Sequence, residues 1–184
     1  MIDGEVNQDV GRLEGLELRL GYRFKDSALL EQALTHSSMS GAGGDRLSSN
    51  ERLEFFGDRV LGLVIAHLLF QRFPDEREGD LARRHAALVR KEALARVAIE
   101  ADLGDCVRMS RGEDEAGGRT NPGLLADACE AVIGAIYLDG GLEAAAKFVH
   151  DYWQALVDED TTPPKDAKTM LQEWAQGRGL ALPQ

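Results

Sequence analysis

Apolar positions recur at three- and four-residue intervals along almost the whole chain, and no stretch alternates convincingly with a period of two. The pattern predicts helices over 10–20, 27–35, 49–72, 81–102, 122–138 and 142–157, and hence an all-α fold. Punctuation agrees: Asp26 and Asp80 stand where they can cap the helices that follow, and Asn121 precedes a proline at the first helical position. Residues 108–120, RMSRGEDEAGGRT, read as a polar loop, and DEDTTPPKD, residues 158–166, has the charge and proline content of a linker. These boundaries divide the chain into a helical domain, 1–157, the linker, and a C-terminal piece, 167–184. That piece reads as a short amphipathic helix and a turn, too little to close a core alone.

Within the 49–72 helix, Glu51, Glu54 and Asp58 fall in an arc of about 60° at about 100° per residue, with Leu53, Phe56, Val60, Leu63 and Val64 expected on the opposite face. Like charges three and four apart destabilise a helix, and the next positions on the stripe are Gly62 and Ile65 rather than bases. Ser48-Ser49-Asn50-Glu51 fits a capping box, which offers Glu51 a backbone role beside a chemical one. Glu54 and Asp58 lie beyond the reach of capping.

The 122–138 helix is apolar nearly all round and should therefore be central and buried, yet Asp127 and Glu130 sit in it, three apart and on one side. Buried unpaired carboxylates are costly; a cation, or arginines such as Arg52 or Arg59, would remove that cost. Gly62 and Gly134 each follow an acid by four residues, so the two helices are expected to approach there and bring Glu54, Asp58, Asp127 and Glu130 together. Hard oxygen ligands without histidine or thiolate suit Mg²⁺ or Mn²⁺ and metal-assisted phosphodiester hydrolysis. A di-iron bundle needs Glu-x-x-His, whereas Ile133 follows Glu130 by three.

Composition narrows the setting. The two cysteines, Cys106 and Cys129, lack metal-ligand spacing, the acidic N-terminus is unlike a signal peptide, and the longest apolar run, 60–70, is too short to span a bilayer. A cytoplasmic protein without a membrane partner is expected. The four histidines show no ligand spacing; His67 falls on the apolar side of its helix and is expected to pack there, and His36 to be structural.

In sequence, NERLEFFGDRVLG resembles the signature helix of bacterial ribonuclease III, and LADACEAVIGAIYLDGG resembles the second acidic motif of that endonuclease domain. LGYRFKDSALLEQALTHSS, FPDEREGDLARRHAALVRKEALA and KTMLQEWAQGRGLALPQ resemble the same family in the same order, from Leu16 onward. The resemblance implies a homodimeric, Mg²⁺-dependent endoribonuclease that cuts both strands of double-stranded RNA in RNA processing, leaving 5′-phosphates and short 3′ overhangs. By motif position Glu54, Asp127 and Glu130 would be metal ligands, with Asp58 and Glu130 catalytic and Glu51 and Glu78 further acids of the cleavage valley. The last segment resembles the opening of a double-stranded-RNA-binding domain, with Gln172 and Glu173 on its RNA-facing helix, most of that domain being expected to be missing.

A net charge of −11 speaks against a polyanion partner taken alone. Locally, Arg83, Arg84, Arg90, Lys91 and Arg96 face only Glu92 between residues 81 and 96, an excess of bases that could meet phosphates. Duplex RNA is recognised through A-form shape and backbone, whose two-fold symmetry suits a C2 dimer; Leu53, Phe55 and Phe56 are candidates for the subunit contact, or else for the monomer's own core. Two other readings stand beside the nuclease: a double-stranded-RNA-binding regulator of the same fold that does not cut, and an all-α nucleotide pyrophosphohydrolase.

Overall fold

A computed structural model describes residues 2–40, 46–159 and 178; Gln172, Glu173 and the rest of 160–184 lie outside them. The described residues form helices α1 (Ile2–Leu20), α2 (Ser27–Ala33), α3 (Glu51–Arg72), α4 (Glu78–Leu88), α5 (Lys91–Glu100), α6 (Leu103–Cys106), α7 (Arg111–Glu115) and α8 (Pro122–Glu159), with 3₁₀ turns at Ser37–Ser40, Arg46–Ser48 and Gly118–Thr120. Among these residues there is no strand; an isolated bridge joins Thr35 and Arg108. The all-α expectation holds.

The first limb of α8 is the central rod. From Leu124 to Ile136 every residue is buried except Asp127 and Glu130. Asn121 starts it as expected, its Oδ1 accepting from the Gly123 and Leu124 amides at 2.8 and 3.4 Å. The limb ends at Gly141, whose φ of 80° is a left-handed conformation that side-chain-bearing residues adopt at a cost. Beyond it the second limb buries Phe148 and Trp153 in the same core and runs to Glu159, two residues into the expected linker.

Asp139 fastens the α1–α2 connection to this break. Its carboxylate accepts the Tyr22 hydroxyl at 2.5 Å and the Lys25 and Asp26 amides at 2.9 and 3.0 Å. Burial, followed by the hydrogen bond to Asp139 and its charge, pushes the Tyr22 phenol up to about 12. The amide and hydroxyl donors hold Asp139 below the usual carboxylate range against the opposing effect of burial. Asp26 in turn caps α2 by accepting from the Ala28 amide.

The expected single helix over 81–102 is two helices, broken at Val89–Arg90, where Arg90 turns extended. No glycine or proline marks the break. Instead the indole Nε1 of buried Trp153 donates to the Leu88 carbonyl at 2.8 Å, satisfying an acceptor at the end of α4 through a partner 65 residues away. Because α4 begins at Glu78, Asp80 is not its cap; it lies in the first turn, paired with Arg83. The 108–120 loop contains α7 and a 3₁₀ turn, tied down by Arg119. That guanidinium donates to the carbonyls of Gly104, Asp105 and Val107 and to the Asp114 carboxylate.

Candidate metal centre

Residues Leu53, Gly57, Val60, Leu61, Val64 and Ile65 of α3 form its buried stripe. The acids flank this stripe rather than oppose it, so they lie at the edge where α3 meets α8. Leu63, expected inside, is 58% exposed, and His67 is exposed rather than packed. His36 plays the structural part expected: its Nδ1 lies 2.9 Å from Ser38 Oγ, and its amide donates to the Arg108 carbonyl.

The close approach of the two helices falls at Gly57 and Gly134, not at Gly62. A Cβ on Gly57 would collide with the Glu130 carbonyl, and one on Gly134 would lie 2.5 Å from the Leu53 carbonyl oxygen. Gly62 faces the His85 ring instead, and its carbonyl lies 2.9 Å from His85 Nε2. The available signal for Gly57 is that it interrupts the apolar stripe of α3, where a missing side chain marks backbone proximity.

This contact brings Glu54 of α3 opposite Asp127 and Glu130 of α8. One carboxylate oxygen from each lies within 4.8 Å of the others, and all three residues are partly buried. Glu130 is pushed up to about 7, first by burial and then by the charges of Glu54 and Asp127, against the pull of Lys91 and Arg59. Burial, Asp127 and Glu51 raise Glu54, with Lys91 opposing. The core-acid alternative of arginine pairing is not what forms: Arg59 pairs with Asp58 and lies over the Phe55 ring, and the cation at Asp127 is Lys91, its Nζ 3.7 Å from Oδ1.

Three carboxylates therefore converge where four were expected. Asp58, one turn further along α3, is engaged with Arg59. Glu51 is exposed at the first position of α3; its N-cap residue is Asn50, without a side-chain capping bond, and Ser49 Oγ donates to Glu51 at 3.4 Å. Glu78 is exposed at the start of α4.

The basic run does not form one face. Arg84 is only 3% exposed, forks onto Glu76 with two bonds of 2.8 Å and stacks 3.9 Å from the Phe73 ring centroid, so it is removed from the surface candidates. Arg83 pairs with Asp80 and Arg96 with Glu159, whereas Arg90 and Lys91 stand at the start of α5 with largely exposed side chains. Of the aromatic candidates, Leu53 is core and Phe56 packs edge-on to Tyr137 with ring centroids 5.2 Å apart. Phe55 is 67% exposed and lines a concavity with Leu29, Gln32, Glu51, Arg52 and Leu138.

The fold and site define a class of helical domain whose central rod presents two carboxylates to a third on a neighbouring helix, an all-oxygen group that could hold a metal ion. The Ribonuclease-III-like family profile matches residues 26–156, and the chain belongs to the ribonuclease III family of endoribonucleases. It is 50% identical over 179 residues to Ribonuclease 3 of Caulobacter vibrioides, covering 97% of this chain and 77% of that protein. It is also 54% identical over 166 residues to Ribonuclease 3 of Jannaschia sp., covering 90% and 71%. Among solved structures, the nuclease domain of ribonuclease III from Campylobacter jejuni, described for flexibility in a region involved in dimer formation, matches with a TM-score of 0.70. It has 42% identity over 81% of this chain and 98% of that one.

Proposed function

We propose that the chain is a Mg²⁺-dependent endoribonuclease that hydrolyses both strands of double-stranded RNA, acting as a homodimer in the cytoplasm on ribosomal and other structured transcripts. Its products would carry 5′-phosphates and short 3′ overhangs. The observation that carries this reading is the convergence of Glu54, Asp127 and Glu130 in a chain of a nuclease family.

The donor set fits a hard divalent cation: three carboxylates, no softer ligand in the group, and a mutual repulsion that two positive charges would relieve. Glu54, Asp127 and Glu130 would hold the ion, with Mn²⁺ able to replace Mg²⁺. When bound, such an ion supplies Lewis-acid stabilisation of the charge that develops on a phosphodiester under attack. Glu130 is assigned to catalysis as well as to ligation. Asp58, one turn from Glu54 on the same helix, is assigned as the second catalytic acid. Glu51 and Glu78 are accessory acids of the approach to it.

RNA contacts are assigned to the bases Lys91, Arg90 and Arg83, which can meet phosphates, and to Gln172 and Glu173 beyond the described residues. Arg84 is withdrawn. Phe55 and Leu138, 67% and 54% exposed beside the concavity, are assigned to the contact with a second copy. Two copies related by a two-fold axis would offer one acidic centre to each strand of the duplex. Residues 1–157 would form the endonuclease domain, 158–166 the linker, and 167–184 the opening of a double-stranded-RNA-binding domain.

The test is incubation of the chain with end-labelled duplex RNA, with and without Mg²⁺, beside Glu130→Gln. Metal-dependent cleavage by the wild type and its loss in the variant are expected. Retention of the duplex without any cut in Mg²⁺ would replace this reading by the non-cleaving regulator.

A further inference from the structure

Lys91 is the first residue of α5, and its side chain reaches Asp127 on the first limb of α8. Its ammonium is the described cation within ion-pair reach of a carboxylate in the cluster, 3.7 Å from Asp127 Oδ1, and its charge also acts on Glu54 and Glu130. The lysine side chain is 72% exposed and that of Asp127 32%. Such a pair is held loosely, since an exposed ion pair spends side-chain entropy for little net attraction. Arg59, the other cation acting on Glu130, is engaged with Asp58 and the Phe55 ring.

We infer that Lys91 is a tethered counter-ion of the metal centre: it partly neutralises the carboxylates when no divalent ion is bound, and it yields Asp127 when one enters. An ammonium and a divalent cation cannot share that oxygen without repulsion, so the lysine competes with the ion and sets the concentration at which the centre fills. The inference rests on the reading of Glu54, Asp127 and Glu130 as the metal ligands. It assigns Lys91 as a positioning residue that acts through those ligands, an effect separate from any phosphate contact it makes later.

The test is direct Mn²⁺ binding, by calorimetry and by electron paramagnetic resonance of free Mn²⁺, to the wild type, Lys91→Gln, Lys91→Arg and Glu130→Gln without RNA. Circular dichroism would check that each is folded. Lys91→Gln is expected to bind Mn²⁺ about three- to tenfold more tightly, the range given by an exposed ion pair together with repulsion through well-screened surroundings. Lys91→Arg keeps the charge and should stay near the wild type, which a role in packing alone would not explain. Glu130→Gln should lose saturable binding. If the wild type binds, Glu130→Gln does not, and Lys91→Gln binds no better than the wild type, the counter-ion role is overturned and the metal centre stands. Absence of saturable binding in every variant and in the wild type would overturn both.

Discussion

Replacing Glu130 by glutamine should stabilise the metal-free protein at alkaline pH while removing its response to metal. The carboxyl is pushed from an ordinary value of 4.5 to about 7 by burial and by Glu54 and Asp127. A native pKa above the unfolded one means that the native state binds the proton more tightly. The side chain's contribution is therefore fully present below the unfolded value and is lost as pH rises through about 7. At about 1.4 kcal/mol per pH unit the full span corresponds to roughly 3 kcal/mol, which partial exposure and screening reduce to about 1–2 kcal/mol. For a chain of this size that is a rise in melting temperature of about 3–6 °C for the variant near pH 8.5 in chelator. The difference should shrink towards zero as pH falls to about 4.5, where both side chains are uncharged. Added Mg²⁺ should raise the melting temperature of the wild type, by binding the native state, and leave the variant nearly unmoved. A Glu130→Gln protein that melts below the wild type in chelator near pH 8.5 would refute the reasoning, because it would mean that the ionised carboxylate has a stabilising partner.

The glycine contact predicts a contrast within one helix. Gly57→Ala should cost more than about 3 kcal/mol in urea unfolding, because a Cβ there meets backbone, whereas Gly62→Ala should be neutral or stabilising by up to about 1 kcal/mol through helix propensity. Asp139→Ala removes the acceptor of three donors and should cost about 1–3 kcal/mol at neutral pH. Since the native pKa of Asp139 is depressed, that difference should narrow as pH falls through the carboxylate range, which melts in acid would follow. Phe55→Glu should convert a dimer into a folded monomer in sedimentation, the side chain being too exposed for its loss to unfold the chain; a variant that stays dimeric would remove Phe55 from the subunit contact.

The acids of α8 were legible in the chain because the rest of that helix is apolar, so the two polar intrusions had to have a purpose. Caps at Asp26 and Asn121 were equally legible, since the capping bonds reach only two or three residues along the chain. What escaped depends on partners distant in sequence. The stop after Leu88 is marked by the indole of Trp153, which no local pattern announces. Gly57 and Gly62 are alike as residues, and only the azimuth at which α8 docks makes the first indispensable and the second free to face His85. That same azimuth explains why Leu63 and His67 are outside and why Asp58 misses the converging set. Arg84 looked like its basic neighbours, yet its position against Phe73 and Glu76 makes it a structural strut.

The touching main chains at Gly57 and Gly134 lie within about a turn of Glu54 and Glu130. The gauge between Glu54 on one rod and Glu130 on the other is therefore a property of peptide groups, which do not vary with residue identity. Leucines, valines and alanines elsewhere between the rods can drift over evolutionary time without resetting that gauge. On the proposed reading, the span open to an ion would accordingly be set by main chain that neutral substitution cannot widen.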